Sequence, residues 1–381
     1  MQKQNKTFKY IKDFLEFKNK RQLTKINLAL DNYPIENEEL IDLSLQLCVC
    51  SKIKLFSLSL THKNLQEDQM LSFFGNLQAY KILSTIWFDF KYNRISNKGI
   101  SFLAQFLIKC VNLKQLYINL HSNNIDINGA FELLNTISSI KSIQSLEIML
   151  GENKLQLESR VVQVCNLSNS LTSLHIGLNQ NSITDKGVQA IGVALSSCIK
   201  LNKLELYFYS NKIGDIGVSA IASSLKKLTL LKKLKLSFYK NMIQDNGIEQ
   251  IGQALSYCTY LTNLALYLND NQFGDKGTFS LAEGLSHCTD IKTLKLSLFN
   301  NRQITNEGYQ KFDYCLQILP DLYSLKFYFS NNEKLLKSKD LLNCSNIRIL
   351  TLDLQLCSLL SEKNQHKRNA LKIRRLVILN C

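Results

Sequence analysis

The stretch LNKLELYFYSNKIGDIGVSAIASSLKKLTL, residues 201–230, indicates the architecture of the chain because the next 30 residues repeat its pattern. That next stretch reads LKKLKLSFYKNMIQDNGIEQIGQALSYCTY, residues 231–260, and returns the same leucine, phenylalanine, asparagine, isoleucine, aspartate and glycine positions. A fixed period of this length is typical of a repeat architecture. The two stretches therefore predict a chain built by stacking one small structural unit.

The register extends over nearly the whole chain of 381 residues. Its opening apolar residue recurs at thirteen positions: Leu23, Ile53, Leu83, Leu113, Ile143, Leu171, Leu201, Leu231, Leu261, Ile291, Leu322, Ile347 and Ile373. No linker composition interrupts it, so we expect residues 23–381 to form a single continuous array. Residues 1–22 lie outside the register and are predicted to form an N-terminal capping helix, whose apolar face would comprise Phe8, Ile11, Phe14 and Leu15.

Each repeat changes its periodicity in the middle. Apolar residues first alternate with polar ones, as in Leu264, Leu266 and Leu268, which predicts a strand with one buried face. After the aspartate and glycine, apolar residues recur at helical spacing, as in Ile248 and Ile251. Alternating strands and helices predict an α/β fold in which parallel strands are covered by helices.

In these positions the repeats resemble leucine-rich repeats of the long, ribonuclease-inhibitor type. The resemblance lies in the L-x-x-L-x-L opening, the asparagine, the isoleucine and the D-x-G, as in residues 171–187. Two extra residues before the asparagine depart from the family pattern. The resemblance implies a leucine-rich-repeat solenoid, or horseshoe, of about thirteen parallel strands. Because strands lie about 4.8 Å apart and packed helices roughly 8–10 Å apart, the strands should line the concave face and the helices the convex face.

The recurring polar positions have structural interpretations. An asparagine recurs after the strand and should satisfy backbone groups of the turn: Asn93, Asn123, Asn153, Asn181, Asn211, Asn241, Asn271, Asn301 and Asn332. An aspartate precedes the helix glycine at Asp185, Asp215, Asp245 and Asp275. We expect each of these aspartates to be the N-cap of its own helix, rather than a calcium ligand or a catalytic carboxylate.

Eleven cysteines occur, and six of them occupy one slot, three residues before the opening position: Cys50, Cys110, Cys198, Cys258, Cys288 and Cys344. A repeated slot predicts small buried side chains rather than metal ligands. Unpaired thiols in this number favour a reducing, cytoplasmic location. The five histidines do not cluster, and phosphate loops and hydrolase motifs are absent. The sequence therefore predicts no enzyme activity, no cofactor and no metal site.

The formal charge is +15, and residues 1–22 and 361–375 each contribute +5 of it. A basic chain favours partners with acidic surfaces, either protein or nucleic acid. The lysine-rich N-terminus is also compatible with an organelle-targeting helix. No run of 18 apolar residues occurs, so no membrane span is expected.

The concave face should be built from the residues between the strand leucines. These residues are rich in tyrosine and lysine, and the candidate partner-binding residues are Tyr207, Tyr209, Lys235, Tyr239, Tyr267, Lys295, Phe299, Lys326 and Tyr328. Tyrosine offers a large amphipathic contact area at low entropic cost. The competing interpretation is that aromatic residues occupy strands because of β propensity and cross-strand stacking. In the N-terminal half the same face should present Trp87, Tyr92, Tyr117, His121 and Glu147.

Three functions fit these features. The first is a non-catalytic scaffold or adaptor that binds a protein partner with an acidic surface on the concave Tyr/Lys face, without a small-molecule substrate. The second is nucleic-acid or ribonucleoprotein binding through the basic ends and stacking aromatic residues. The third is a GTPase-regulatory leucine-rich repeat protein similar to the activators of Ran, although the acidic C-terminal tail of that family is absent here.

Overall fold

Each repeat forms one parallel strand. Where the structure also describes the residues that follow the strand, these form one helix. The structure is a computed structural model, and it describes residues 5–31, 34–155, 167–301, 303–328, 347–353 and 378–380. Contacts divide the chain into two units. The N-terminal unit comprises residues 1–157 and 165–182, and the C-terminal unit comprises residues 158–164 and 183–381.

In the N-terminal unit, seven described strands pair in parallel and in sequence order. They are β1 (Asn5–Phe8), β2 (Lys25–Ala29), β3 (Leu55–Ser59), β4 (Thr85–Asp89), β5 (Gln115–Asn119), β6 (Ser145–Met149) and β7 (Ser173–Gly177). The helices are α1 (Ile11–Leu15), α2 (Asn37–Leu47), α3 (Glu67–Phe74), α4 (Asn97–Ile108) and α5 (Ile127–Ser139).

In the C-terminal unit, the described strands also pair in parallel and in sequence order. They are β8 (Lys203–Tyr207), β9 (Lys233–Ser237), β10 (Asn263–Tyr267), β11 (Thr293–Ser297), β12 (Ser324–Tyr328), β13 (Ile349–Asp353) and β14 (Ile378–Asn380). The helices are α6 (Asp185–Leu195), α7 (Asp215–Leu225), α8 (Asp245–Leu255), α9 (Asp275–Ser286) and α10 (Asn306–Gln317). Each of the thirteen predicted repeats therefore contains a strand, and the α/β leucine-rich-repeat fold is confirmed.

The core lies between the strands and the helices. Strand residues at the predicted apolar positions are fully buried, as Leu204, Leu206 and Phe208 show in and just after β8. Helices cover this face, since the ring of Phe312 in α10 lies 5.8 Å from that of Phe327 in β12. Side chains at the alternate strand positions point away from this core, and we call the surface that they form the open strand face.

The recurring asparagine is a bridge between neighbouring repeats, as predicted. Asn241 Oδ1 accepts a hydrogen bond from the backbone N–H of Ile213 at 3.1 Å. Its Nδ2 donates to the carbonyl oxygens of Phe208 at 2.9 Å and Phe238 at 3.0 Å. Each such side chain satisfies turn groups that the sheet leaves unpaired, which is why a polar residue occupies this buried slot. Asn332 lies outside the described residues.

The prediction that the recurring aspartate caps its own helix is wrong. Asp245 is the first residue of α8, and the N-cap position belongs to Gln244. The Asp245 carboxylate instead accepts from the backbone N–H groups of Gly274 at 2.8 Å and Gly277 at 2.9 Å, at the start of the next helix, α9. Asp185, Asp215 and Asp275 make equivalent contacts to the helix that follows each of them. Each carboxylate therefore bonds the first turn of the following helix, about 30 residues later in the chain, and not the first turn of its own helix.

These contacts explain the glycine of the D-x-G motif. A Cβ atom built on Gly247 would lie 2.6 Å from Asp215 Oδ1, and one on Gly277 would lie 2.9 Å from Asp245 Oδ1. Both separations are shorter than the closest approach of a nonbonded carbon and oxygen atom. Glycine is therefore required for the close approach of the preceding carboxylate, while its backbone conformation is ordinary, since no glycine in the described residues has a positive φ.

The N-terminal segment differs from a single helix. It contains strand β1, the short helix α1 and a 3₁₀ turn at Lys20–Gln22. Phe8 lies on β1, while Ile11 and Phe14 lie on α1, and all three are buried. Strand β1 pairs with β2, so the segment extends the sheet by one strand. A periodicity over so few residues does not separate a helix from a strand followed by one turn of helix.

The position before each recurring asparagine from Asn93 to Asn301 has a left-handed backbone, which was not predicted from the sequence. Tyr92, Ser122, Lys240 and Asp270 have φ values of 57°, 52°, 55° and 54°. None of them is a glycine, so this turn costs energy in each repeat and is held by the asparagine bonds next to it.

The cysteine slot is buried as predicted. Cys50, Cys110, Cys198, Cys258 and Cys288 all have no exposed surface. Burial raises the pKa of Cys258 and Cys288 to about 12. Cys344 lies outside the described residues. In the part of the chain that the structure describes, no helix has the length and apolar character needed to cross a membrane.

Candidate functional site

The predicted tyrosine and lysine residues form aligned columns on the open strand face of the C-terminal unit. The middle strand positions pair in the order Glu205, Lys235, Ala265, Lys295 and Lys326. The last strand positions pair in the order Tyr207, Ser237, Tyr267, Ser297 and Tyr328. The predicted alignment is thus confirmed, while the role of these residues in binding stays a prediction. We call these two columns, with Tyr209, Tyr239 and Phe299 beside them, the Tyr/Lys face.

Lys235 lies between two aromatic rings. Its Nζ atom is 4.6 Å from the centre of the Tyr207 ring and 5.4 Å from that of Tyr267. The two tyrosines stand on the strands on either side, and the small Ser237 between them leaves space for both rings to reach the lysine. Cation–π contacts on two sides hold the ammonium group in place while leaving it half-exposed.

The surroundings of Lys235 disfavour the protonated, charged form of its side chain. Partial burial lowers the pKa of Lys235, and repulsion from Lys295 and Lys203 lowers it further, while Glu205 opposes the change. Three lysines, Lys233, Lys235 and Lys295, stand around one acidic residue, Glu205, so positive charge is in excess here. An anionic ligand would relieve this repulsion.

Glu205 is already engaged with its own repeat. Its carboxylate accepts a hydrogen bond from the Tyr207 hydroxyl at 3.1 Å and forms an ion pair with Lys203 at 2.9 Å. These contacts orient Tyr207 towards Lys235. Lys203 and its neighbour Lys233 were not predicted as site residues. Both are the first residues of their strands, and the alternation of side chains along a strand places them on the open strand face.

A third row follows the strand ends. The Tyr209 and Tyr239 rings are stacked with their centres 6.1 Å apart, and Phe299 is half-exposed. Asn269 interrupts this row because its side chain is buried and its Oδ1 accepts from the Ser297 hydroxyl at 3.0 Å. Burial raises the pKa of Tyr267, with a further contribution from Tyr328, so the Tyr267 phenol stays neutral.

A shallow depression opens where Ala265 replaces the longer residues of its column. It has a volume of about 160 Å³, and its lining includes Glu205, Lys233, Lys235, Asn263, Ala265 and Lys295. Because alanine presents only a methyl group between two lysines, the space above it is open to solvent. Basic side chains thus flank this recess on both sides.

The open strand face of the N-terminal unit has a different chemistry. Trp87 and Tyr117 are stacked face to face, with centres 4.6 Å apart and planes 4° apart. Glu147 follows Tyr117 in the same column and contacts His175 Nδ1 at 2.7 Å. Trp87 is 36 % exposed, as predicted for an outward-facing residue. This surface therefore combines aromatic residues with an acidic residue.

The other predicted residues of the N-terminal unit form a separate group. The rings of Tyr92 and His121 meet edge to face at 5.5 Å, and His121 Nε2 lies 3.5 Å from a Glu152 oxygen. His121 and His175 thus contact different carboxylates. Within the described ranges, no three histidine, cysteine or acidic residues converge in a way that would hold a metal ion.

Comparison with known proteins agrees with this geometry. The family model for the leucine-rich repeat matches residues 167–192 and 200–222. Among solved structures, an internalin from Listeria monocytogenes is similar, with a TM-score of 0.51 and 18 % identity over 91 % of this chain and 89 % of the other. No curated protein is significantly similar to the sequence. The repeat register, the parallel strands with their covering helices, and these matches together show that the chain has a leucine-rich-repeat fold.

Proposed function

We propose that this protein is a non-catalytic interaction scaffold whose Tyr/Lys face binds a protein partner with an acidic surface. The observation that supports the proposal most directly is Lys235, held between Tyr207 and Tyr267 and repelled by Lys295 and Lys203. A binding surface gains affinity when its contact residues are already ordered. Here the strands and the ring contacts order them before any partner arrives.

The chemistry of the face fits a protein partner. Half-exposed tyrosines provide apolar area together with a hydroxyl group, which is the composition of energetically important interface residues. The lysines provide charge that attracts an acidic partner and speeds its association at low ionic strength. The face presents these groups on five successive strands, β8 to β12, so that an extended surface is available.

Nucleic acid fits this surface less well. Single-stranded nucleic acid binds by stacking bases on free aromatic faces. In the C-terminal unit Lys235 already occupies one face of Tyr207 and one of Tyr267. In the N-terminal unit the exposed Trp87 and Tyr117 pair stands in register with Glu147, which repels phosphate. The basic run at residues 361–375 lies outside the described residues.

We also place the protein in a reducing, cytoplasmic compartment. Cys50, Cys110, Cys258 and Cys288 are thiols buried in the core of their units. Each occupies the same slot in its repeat, where it packs as a small apolar side chain. An oxidising compartment would select against unpaired thiols in this number.

The test is affinity capture with a matched control. The site variant carries Tyr207→Ala, Lys235→Ala and Tyr267→Ala. The control variant carries Tyr257→Ala, Tyr260→Ala and Lys227→Ala, which removes the same residue types from exposed positions outside the strands of the same unit. Proteins captured from nuclease-treated lysate by each form are quantified by mass spectrometry.

We expect the wild type and the control variant to retain the same acidic partner, and the site variant to lose at least about 90 % of it, since truncation of central tyrosines and lysines costs 1–2 kcal/mol or more each. Capture should also fall as salt is raised. Equal capture by the site variant and the control would show that the partner docks elsewhere. Capture by the wild type from untreated lysate but not from nuclease-treated lysate would favour nucleic-acid binding instead.

A further inference from the structure

The depression over Ala265 differs from the rest of the Tyr/Lys face in having room between two cations. Lys235, Ala265 and Lys295 stand at the same level on strands β9, β10 and β11. Adjacent strands lie about 4.8 Å apart, so the two lysine backbones are roughly 10 Å apart. A side chain entering over Ala265 would lie between their ammonium groups.

Basic residues outnumber acidic residues around this depression, and the acidic residue lies away from Ala265. Glu205 lines the depression from the far side of Lys235, where it already pairs with Lys203 and Tyr207. Lys233 and Lys295 add two further cations to the lining. No second acidic residue lines the depression among the residues that the structure describes. The repulsion between Lys235 and Lys295 is therefore uncompensated at the point midway between them.

We propose that this depression binds one aspartate or glutamate side chain of an extended acidic segment of the protein partner, with Lys235 and Lys295 contacting its carboxylate from the two neighbouring strands. The proposal rests on the proposed function and specifies where the partner is anchored. Asn263 and Thr293 offer further polar groups at the edge, and the Ala265 methyl group forms the floor.

Size and charge favour a carboxylate over a phosphodiester. A volume of about 160 Å³ accommodates a single side chain, whereas a base with its sugar and phosphate would extend beyond the depression. Glu205 in the lining adds a negative charge that opposes a nucleic-acid backbone more strongly than a single carboxylate, because successive phosphates bring several charges close together. A side chain from an extended peptide brings one charge at a time.

The experiment measures binding of a fluorescein-labelled hexaglutamate peptide by fluorescence anisotropy. Ala265→Gln fills the depression without changing any charge. Ser57→Gln is the matched control, because Ser57 holds the same middle strand position in β3 of the N-terminal unit and is also half-exposed. Lys295→Gln is a second variant, which removes one cation from a half-exposed position and leaves the strand sequence otherwise intact. Hexaglutamine and an oligothymidylate serve as competing probes.

We expect the wild type and Ser57→Gln to bind hexaglutamate equally, and Ala265→Gln and Lys295→Gln to bind it at least about tenfold more weakly, a change of about 1.4 kcal/mol. Unchanged binding by both depression variants would overturn the inference. Tighter binding of oligothymidylate than of hexaglutamate, lost in the same variants, would also overturn it and assign the site to nucleic acid.

The capture experiment separates this inference from the proposed function. If Ala265→Gln retains the partner that the triple site variant loses, the face is the docking surface and the anchor lies elsewhere on it. If hexaglutamate binding depends on Ala265 and Lys295 while the triple site variant captures the partner as the wild type does, the depression binds acidic peptide and the proposed docking function is wrong.

Discussion

The repeat can place a residue in an environment that is unfavourable for its side chain, and the buried carboxylate of Asp89 is an example. Its side chain is nearly buried at the end of β4, where one oxygen accepts from the Lys91 backbone N–H at 3.3 Å. Burial raises the pKa of Asp89 above its ordinary value, more than the bonds from Lys91 lower it, and the nearby Asp31 contributes in the same direction. Asn119 holds the same position in β5 and accepts from the His121 N–H in the same way.

Asp89→Asn should therefore stabilise the protein at neutral pH. The raised pKa means that the folded state disfavours the carboxylate, so its cost is fully present above the folded pKa and disappears below the unfolded value of about 4. The gain in unfolding free energy, measured by urea denaturation, should be larger at pH 7 than at pH 4.5. The exposed Asp42→Asn in α2 is the control, with similar effects at both pH values. A loss of stability at pH 7 would show that the ion pair between Asp89 and Lys91, at 3.7 Å, outweighs burial.

Helices in the C-terminal unit are joined through their first turns. Each aspartate carboxylate accepts from backbone N–H groups of the next helix, which satisfies donors that the helix itself leaves unpaired and places a negative charge at its positive end. The contact acts as a cap supplied by the previous repeat. In the N-terminal unit Asn97 serves the same purpose, since its Oδ1 accepts from the Asp126 N–H at 3.1 Å.

Asp245→Ala should lower the unfolding free energy by about 2–3 kcal/mol, because two hydrogen bonds to a charged acceptor are lost and two N–H groups of α9 are left unpaired. Asp245→Asn keeps one acceptor oxygen, as at Asn97, and should cost about half as much. Asp290→Ala removes an exposed aspartate of the same unit and should change stability by less than about 0.5 kcal/mol. Chemical denaturation measures all three. An Asp245→Ala protein as stable as the Asp290→Ala protein would contradict the capping role.

Across the molecule, the repeated cysteine slot makes thiol reactivity a measure of global unfolding. Cys110, Cys258 and Cys288 are fully buried, and burial raises the pKa of each to about 12. Thiolate formation and access to reagents therefore both require opening of the core. Cys48 in the N-terminal unit is half-exposed and provides an internal reference.

Alkylation with iodoacetamide at pH 8, followed by peptide mass spectrometry, should label Cys48 at least about 100-fold faster than Cys110, Cys258 and Cys288 in the folded protein. In 8 M urea the rates should converge. Protection should be lost at one urea concentration for Cys258 and Cys288, which lie in adjacent repeats of the C-terminal unit. Fast labelling of Cys258 in the absence of urea would show that its repeat opens locally.

Sequence alone determined the strand positions and the buried faces of the first twelve repeats. In the last repeat, Leu379 pairs with Leu350, three residues after the position that counting from Ile373 predicts. A side chain such as Leu204 or Asn241 returns every 28 to 31 residues in most of the array, and stacking identical units buries such positions against one another. The alignment of Lys235 with Ala265 and Tyr207 with Ser237 followed from the same spacing. Periodicity is sufficient for these features because each depends only on a residue's place within its own repeat.

The contacts between neighbouring repeats could be identified only from the tertiary structure. The carboxylate of Asp245 reaches the next helix instead of its own, and Lys235 enters the space between two rings that stand one strand away on either side. Strand β1 joins the sheet although its residues carry no repeat signal. These contacts depend on the lateral distance and relative tilt of neighbouring repeats, and such distances arise from packing of side chains in three dimensions rather than from spacing along the chain.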